Sequence, residues 1–147
     1  MQMVESSNQY YDAVEGHIVK AMEDFQRVTG RKYEPLEYRY HGTTEPRVAI
    51  ICMGSGVAVI DGTLKHLKSE SACLIAIRMF RPWNRNRFCD ALPKSITRIA
   101  VMDRTREGGS QGEPLYLDVC TSLMQFGRAF SYTPLTLPPY YLCVISY

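Results

Sequence analysis

Ile99–Asp118, IAVMDRTREGGSQGEPLYLD, is the stretch whose reading decides the fold. Ile99 to Met102 is a short apolar run without alternation, as expected of a strand covered on both faces in a parallel sheet. Asp103, Arg104, Thr105, Arg106 and Glu107 follow at its carboxyl end. In open α/β sheets that is the edge where ligands and partners dock. Gly108, Gly109 and Gly112 loosen the loop, and Pro114 suits the first position of a helix, where no backbone donor is needed. Leu115, Val119 and Leu123 then recur every four residues, giving that helix one buried face.

The same unit repeats upstream. Arg47–Met53 is a second apolar run and reads as a central parallel strand. Gly54, Ser55 and Gly56 form a tight turn in which Ser55 can cap the next helix. Val57, Ile60, Leu64 and Leu67 are its expected buried face, with Lys65, Lys68 and Glu70 outside. A third strand spans Ala72–Phe80 and is stopped by Arg81-Pro82-Trp83. A short helix through Phe88, Cys89 and Leu92 follows, capped by Asn84 or Asn86 and closed by Pro93. The fourth strand covers Ser95 to Met102. Strand and helix thus alternate from 47 to 124, which argues for an α/β layer around a mainly parallel sheet.

Two elements precede this core. Asn8 to Thr29 has Val14, Ile18, Met22, Phe25 and Val28 at steps of three and four, an amphipathic helix with one apolar stripe. Ser7 or Asn8 can cap it and Gly30 can end it. His17 beside the stripe is expected to be partly buried rather than catalytic. Leu36, Tyr38 and Tyr40 alternate with Glu37 and Arg39, the pattern of a half-exposed edge strand. The tail differs: Ala129 to Tyr147 has no charged residue, and Pro134, Pro138 and Pro139 exclude a helix. It is too short and proline-rich to span a membrane, and Tyr140–Tyr147 reads as an edge strand. The tail is left unassigned, either a truncated or aberrantly read gene end or an evolved element.

Bulk properties narrow the function classes. A chain of 147 residues with 46% hydrophobic and 22% charged residues is one soluble domain's worth. A formal charge of +2 with dispersed basic residues is no nucleic-acid footprint. Five cysteines with no CxxC pair read as buried small hydrophobes, so neither disulfides nor a cluster is expected. Met1 to Ser7 lacks the basic start and apolar core of a secretory signal.

Candidate binding residues gather at the expected carboxyl edge: Gly54, Ser55, Gly56, Arg81, Asp103, Arg104, Thr105 and Arg106. A glycine turn opening a helix can cradle a phosphate through free backbone donors. The full dinucleotide pattern needs a third glycine where Val59 stands, so a purely structural turn is the stronger reading of the two. Arg78, Arg81, Arg85, Arg87 and Trp83 make either an anion or partner surface, or a set of arginines paired with the acids of the 103–113 loop. Asp103 fits a loop-fixing role, bonded to arginine or backbone amides, better than a catalytic base. No nucleophile motif or metal-ligand spacing is present.

Asp103-Arg104-Thr105 with Gly112–Asp118 resembles the second domain of pyruvate:ferredoxin and pyruvate:NADP oxidoreductases, a transketolase C-terminal-like module. Met53-Gly54-Ser55-Gly56, Arg78–Pro82, Ala91-Leu92-Pro93 and Thr29-Gly30-Arg31 carry the resemblance, which spans Asn8 to Met124 in family order. The family pattern often has proline where Gly109 stands here. The resemblance implies a three-layer αβα fold with the 36–40 strand at an edge in the antiparallel sense. Residues 1–7 are then a short extension, 8–124 the domain and 125–147 the unassigned tail.

The resemblance further implies an architectural, non-catalytic domain of an enzyme converting pyruvate to acetyl-coenzyme A. Thiamine diphosphate, [4Fe-4S] clusters and CoA would belong to the parent and none to this chain. Its partners would be the parent's other domains, a second subunit, pyruvate, CoA, and ferredoxin, flavodoxin or NADP, with no nucleic acid and no membrane. The compartment would be the cytoplasm or a hydrogenosome- or mitochondrion-related organelle. The isolated chain is expected to be inactive. A free-standing module binding an anionic metabolite, or a degenerate domain of a sulfite reductase flavoprotein fusion, are the alternatives.

Overall fold

The structure is a computed structural model, which describes residues 8–68, 70–105, 107–127, 131–137 and 140–146. In chain order the elements are α1 (Asn8–Thr29), β1 (Leu36–Arg39), β2 (Val48–Met53), α2 (Gly56–His66), β3 (Ala72–Ile77), α3 (Arg85–Ala91), β4 (Arg98–Asp103), α4 (Pro114–Gln125), β5 (Ser131–Leu137) and β6 (Tyr140–Ser146). One six-stranded sheet has the order β1-β3-β2-β4-β6-β5. β2 runs parallel to both β3 and β4, with Val48 opposite Ala72 and Arg98. β1 joins β3 antiparallel at the edge, Leu36 opposite Ile77, as the period-two pattern and the family fold require.

Side chains divide between the two faces by the strand period of two. Ala49 and Ile51, Cys73, Ile75 and Ile77, and Ile99 and Val101 point one way and bury Phe88, Leu92, Leu115, Val119 and Leu123 of the α3–α4 layer. Cys52, Leu74 and Ala76 point the other way onto Leu64, with Val57 and Ile60 of α2 packed alongside. Helices therefore cover both faces, and the three-layer αβα architecture, consistent with a transketolase C-terminal-like fold, follows from apolar runs that can hide no face from a neighbour. Leu115, Val119 and Leu123 are 0%, 0% and 1% exposed, so the four-residue spacing located the buried face of α4. Asn84 Oδ1 accepts from Arg87 N at 2.9 Å, the cap expected for α3, and Gly30 ends α1 at φ +72°.

Several expectations are corrected. β3 stops at Ile77, three residues earlier than expected, because the Arg78 and Met79 amides turn to the Pro35 carbonyl. Leu67 is exposed, since α2 ends at His66 and Lys68 takes φ +48°. On α1 the stripe is only half covered: Phe25 and Val28 are 41% and 85% exposed, and His17 is exposed rather than partly buried. The N-terminal cap at Ser7 or Asn8 lies outside the described side chains.

The tail strand at 140–146 forms, yet it is interior. β6 pairs with β4 antiparallel, and β5, which the prolines hid, takes the edge outside it. Cys52, Cys73 and Cys120 are buried and Cys89 is half-buried, all as free thiols. Among the described residues no helix is long and apolar enough to cross a membrane.

Candidate functional site

The carboxyl ends of β2 and β4 lie side by side, so the turn after one meets the loop after the other. After β2, Gly54 takes φ +70° and Gly56 begins α2 directly over Cys52. A Cβ on Gly56 would stand 2.8 Å from Cys52 Sγ. A side chain at this position would therefore require the Cys52 sulfur to shift. Ser55 sits at the helix start in an αR conformation without a side-chain cap bond, against expectation. Its Oγ instead accepts from Arg104 Nη1 at 3.1 Å.

Beyond β4 the loop is held by buried carboxylates. Asp103 is 2% exposed; its Oδ1 accepts from Thr105 N at 3.0 Å and its Oδ2 from Leu115 N at 3.1 Å. The second bond falls on the first turn of α4, where donors lack helical partners and the dipole favours an anion. Glu113 precedes Pro114, and its Oε2 accepts from Glu107 N at 2.9 Å. The loop thus closes from both ends, with the turn at Gly109 (φ +83°) between. The expected loop-fixing role of Asp103 holds, through amides.

The eight candidate residues do not form one site. Gly54, Ser55, Gly56 and Arg104 converge, with Asp103 and Thr105 alongside. Arg81 is committed elsewhere: its Nη1 donates to Asp118 Oδ2 at 2.6 Å and to the Phe80 carbonyl at 3.1 Å, with its guanidinium 3.9 Å from the Phe80 ring centre. β3 and β4 flank β2 on opposite sides. Arg81 and Arg104 therefore leave strands roughly 10 Å apart. Arg106 lies outside the described residues.

The arginine set is paired, but not with the acids of the 103–113 loop. Arg78 Nε donates to Glu37 at 2.5 Å, Arg87 Nε to Glu15 at 2.7 Å, and Arg85 to Gln125.

Sequence reasoning missed a network on the other flank of the turn. Arg39 donates to Glu37 and to Asp61 (2.6 and 2.7 Å), and His41 Nε2 stands 2.8 Å from the second Asp61 oxygen. Burial pushes the Glu37 carboxyl up, but the bonds from Arg78 and Arg39 outweigh it and hold it below the ordinary range. Asp61 is likewise lowered: bonds from His41 and Arg39 override its burial. A shallow cleft of about 350 Å³ lies here, lined by Arg39, Arg78, Gly54 and Val57. The Glu37/Arg39 spacing on one strand face is the only part of this network a sequence could show. Asp61 and Arg78 reach it only through the fold.

Chemically, the arrangement fixes elements to one another. Asp103 and Glu113 bond to backbone amides and Asp118 to a guanidinium. Among the described residues no cluster of His, Cys, Asp and Glu is placed to hold a metal ion.

Fold and edge together define a three-layer α/β module whose carboxyl edge is locked by buried carboxylates and paired arginines. No protein-family model matches the chain. It is 42% identical over 123 residues to the probable pyruvate-flavodoxin oxidoreductase of Escherichia coli K12, covering 82% of this chain and 10% of that protein. Identity to the pyruvate:ferredoxin oxidoreductase of Moorella thermoacetica is 43% over 126 residues, 84% of this chain and 11% of the other. The pyruvate dehydrogenase [NADP(+)] of Cryptosporidium parvum is 35% identical over 127 residues, 84% of this chain and 6% of the other. The chain is homologous to one domain of the pyruvate:flavodoxin/ferredoxin oxidoreductases, and spans about a tenth of the length of the first two relatives.

Proposed function

We propose that the chain is the transketolase C-terminal-like second domain of an oxidoreductase that decarboxylates pyruvate oxidatively to acetyl-CoA. Electrons pass to ferredoxin, flavodoxin or NADP. Within that enzyme this domain is architectural. It packs against the other domains and supports a dimer, while thiamine diphosphate, [4Fe-4S] clusters and CoA are held elsewhere. The observation that carries the reading is the 42–43% identity over more than four fifths of the chain. The non-catalytic part rests on the donor set: Asp103 and Glu113, buried at the carboxyl edge, are both bonded to backbone amides. These bonds turn both Asp103 oxygens and one Glu113 oxygen toward the protein's own amides, whereas a general base has an oxygen facing a substrate proton.

The test is pyruvate- and CoA-dependent reduction of a viologen dye by the purified 147-residue chain supplied with thiamine diphosphate and Mg²⁺. No turnover is expected, and measurable turnover would overturn the architectural role. Reading the transcript across both ends of the frame tests the parent assignment separately: thiamine- and cluster-binding sequence on the same message supports it.

A second reading, an anion-binding edge at Gly54-Ser55-Gly56, is favoured by Arg104 on Ser55 and by Arg39 and Arg78 beside Gly54. It requires salt-sensitive phosphate binding that Ser55→Ala weakens without loss of fold.

A further inference from the structure

α1 is the least anchored of the described helices. It runs for 22 residues, yet none of its described side chains is buried; Val14, Glu15, Ile18, Val19 and Met22 are half-buried and the others exposed. Neither apolar cluster of the body includes an α1 residue. Between α1 and the body lies an open cleft of about 450 Å³, with Tyr11 and Glu15 on one wall and Trp83, Asp118 and Ser122 on the other. The helix stands off from the body over its first half.

What crosses that gap is polar. Glu15 accepts from Arg87 Nε at 2.7 Å and from Asn84 Nδ2. Both partners are rigidly based, since Asn84 caps α3 and Arg87 is the residue whose amide it caps. Burial raises the Glu15 carboxyl, and these two bonds more than reverse it. At the far end Phe25 rests on the Tyr33 ring, centres 5.6 Å apart. Gly30 at φ +72° then breaks the helix, and residues 30–35 link it to β1. Among the described residues, the Glu15 latch, the Phe25–Tyr33 ring contact and the partial burial of Val14, Ile18, Val19 and Met22 hold a long helix against a body that has its own closed core.

We infer that α1 is a latch-held arm: it swings off the body as one helical unit about residues 30–35, Glu15 being the latch, while the sheet and the α2, α3 and α4 layers stay folded. Elements with few buried contacts open at low free energy and in cooperative blocks. The opening uncovers the cleft and the inner side of α1 together.

Hydrogen exchange on the whole chain tests this, with Trp83 as a second reporter. It is the single tryptophan of the sequence and lines the cleft. Across a urea series, α1 amides are expected to lose protection as a block while β2, β3 and β4 amides keep theirs. Acrylamide should reach Trp83 over the same range. Glu15→Gln should speed α1 exchange about fivefold, the loss of one partly exposed ion pair. Arg87→Gln should do the same, and the double variant no more than either. Loss of α1 protection only together with the strands would overturn the inference. So would unchanged α1 exchange in a folded Glu15→Gln. Should that variant fail to fold, the urea series on the natural chain decides alone.

Discussion

Gly56→Ala is the sharpest probe of why the turn after β2 has its sequence. The added methyl would stand 2.8 Å from Cys52 Sγ, against ordinary contact of about 3.5–4 Å between heavy atoms. Roughly 1 Å of overlap must be absorbed. Cys52 is 2% exposed, and its thiol donates weakly to the Met53 carbonyl at 3.5 Å, so the sulfur has little room to turn. Overpacking of this kind costs about 1–3 kcal/mol, while alanine over glycine in a helix returns up to about 1 kcal/mol. The net expectation is a destabilisation of about 1–2 kcal/mol. Cys52→Ala alone should cost about 1 kcal/mol in lost burial. In Cys52→Ala/Gly56→Ala the methyl moves into space the sulfur has left, so the two costs should cancel in part, with a coupling of about 1–2 kcal/mol. Urea unfolding followed by far-UV circular dichroism gives all four corners of the cycle. A neutral or stabilised Gly56→Ala, or simple additivity, would refute the packing account of this glycine.

Other outcomes follow from the same structure. Asp103→Ala leaves the Thr105 and Leu115 amides without their acceptor and should cost about 2–4 kcal/mol, from one buried donor at about 1–3 kcal/mol and one part-buried donor that water can partly satisfy; urea midpoints measure it. Glu15, Glu37 and Asp61 have folded pKa values below their ordinary 4.5, 4.5 and 3.8, so their stabilisation is fully present above those values. It is lost as pH falls through the lowered folded values, and Glu37→Gln should flatten the acid limb of a stability–pH curve. Burial pushes the Cys73 thiol from 9.0 to about 11. Its contribution is therefore intact below pH 9 and lost on rising through about 11, roughly 2–3 kcal/mol in all, and Cys73→Ala should remove that alkaline decline. Arg81→Ala should leave phosphate affinity unchanged, because Arg81 is tied to Asp118 rather than to the Ser55 turn; titration calorimetry decides.

How much could be read beforehand depended on whether a residue's surroundings were local. The faces of α4, the edge position of β1 and the central position of β2 came from period alone, and all three are as the pattern requires. Burial failed where a neighbour ended early. Phe25 and Val28 continue the α1 stripe, but its half-buried side chains stop at Met22. Leu67 continues the α2 stripe, but the helix ends one residue sooner. The tail failed for another reason. Whether β6 is edge or interior depends on where a second strand lies, and Pro134 concealed that strand. At the carboxyl edge, Ser55 and Arg104 could be placed together because each follows a strand of the parallel core. Arg81 could not be separated from them, since strand order sets that distance and is silent in the chain. The partners of Arg78 and Arg87, 41 and 72 residues away, had no sequence signal.

Those remote pairs tie the elements of the fold to one another. Glu15 ties α1 to α3, Glu37 ties β1 to the end of β3, Asp61 ties α2 to β1, and Asp118 ties α4 to the segment after β3. Asp103 and Glu113 fasten the loop after β4 to its own backbone. Bonds of this kind hold Glu15, Glu37 and Asp61 below the ordinary carboxylate range, and each of the six carboxylates gives at least one oxygen to a fixed partner in the fold. Such bonds fasten the loop after β4 and the segment after β3 to fixed partners. Stiff loops are poor at closing over a substrate but good at presenting one fixed surface to a neighbour. This distribution of charge is what the proposed architectural role requires of a domain that presents a fixed surface to its neighbours.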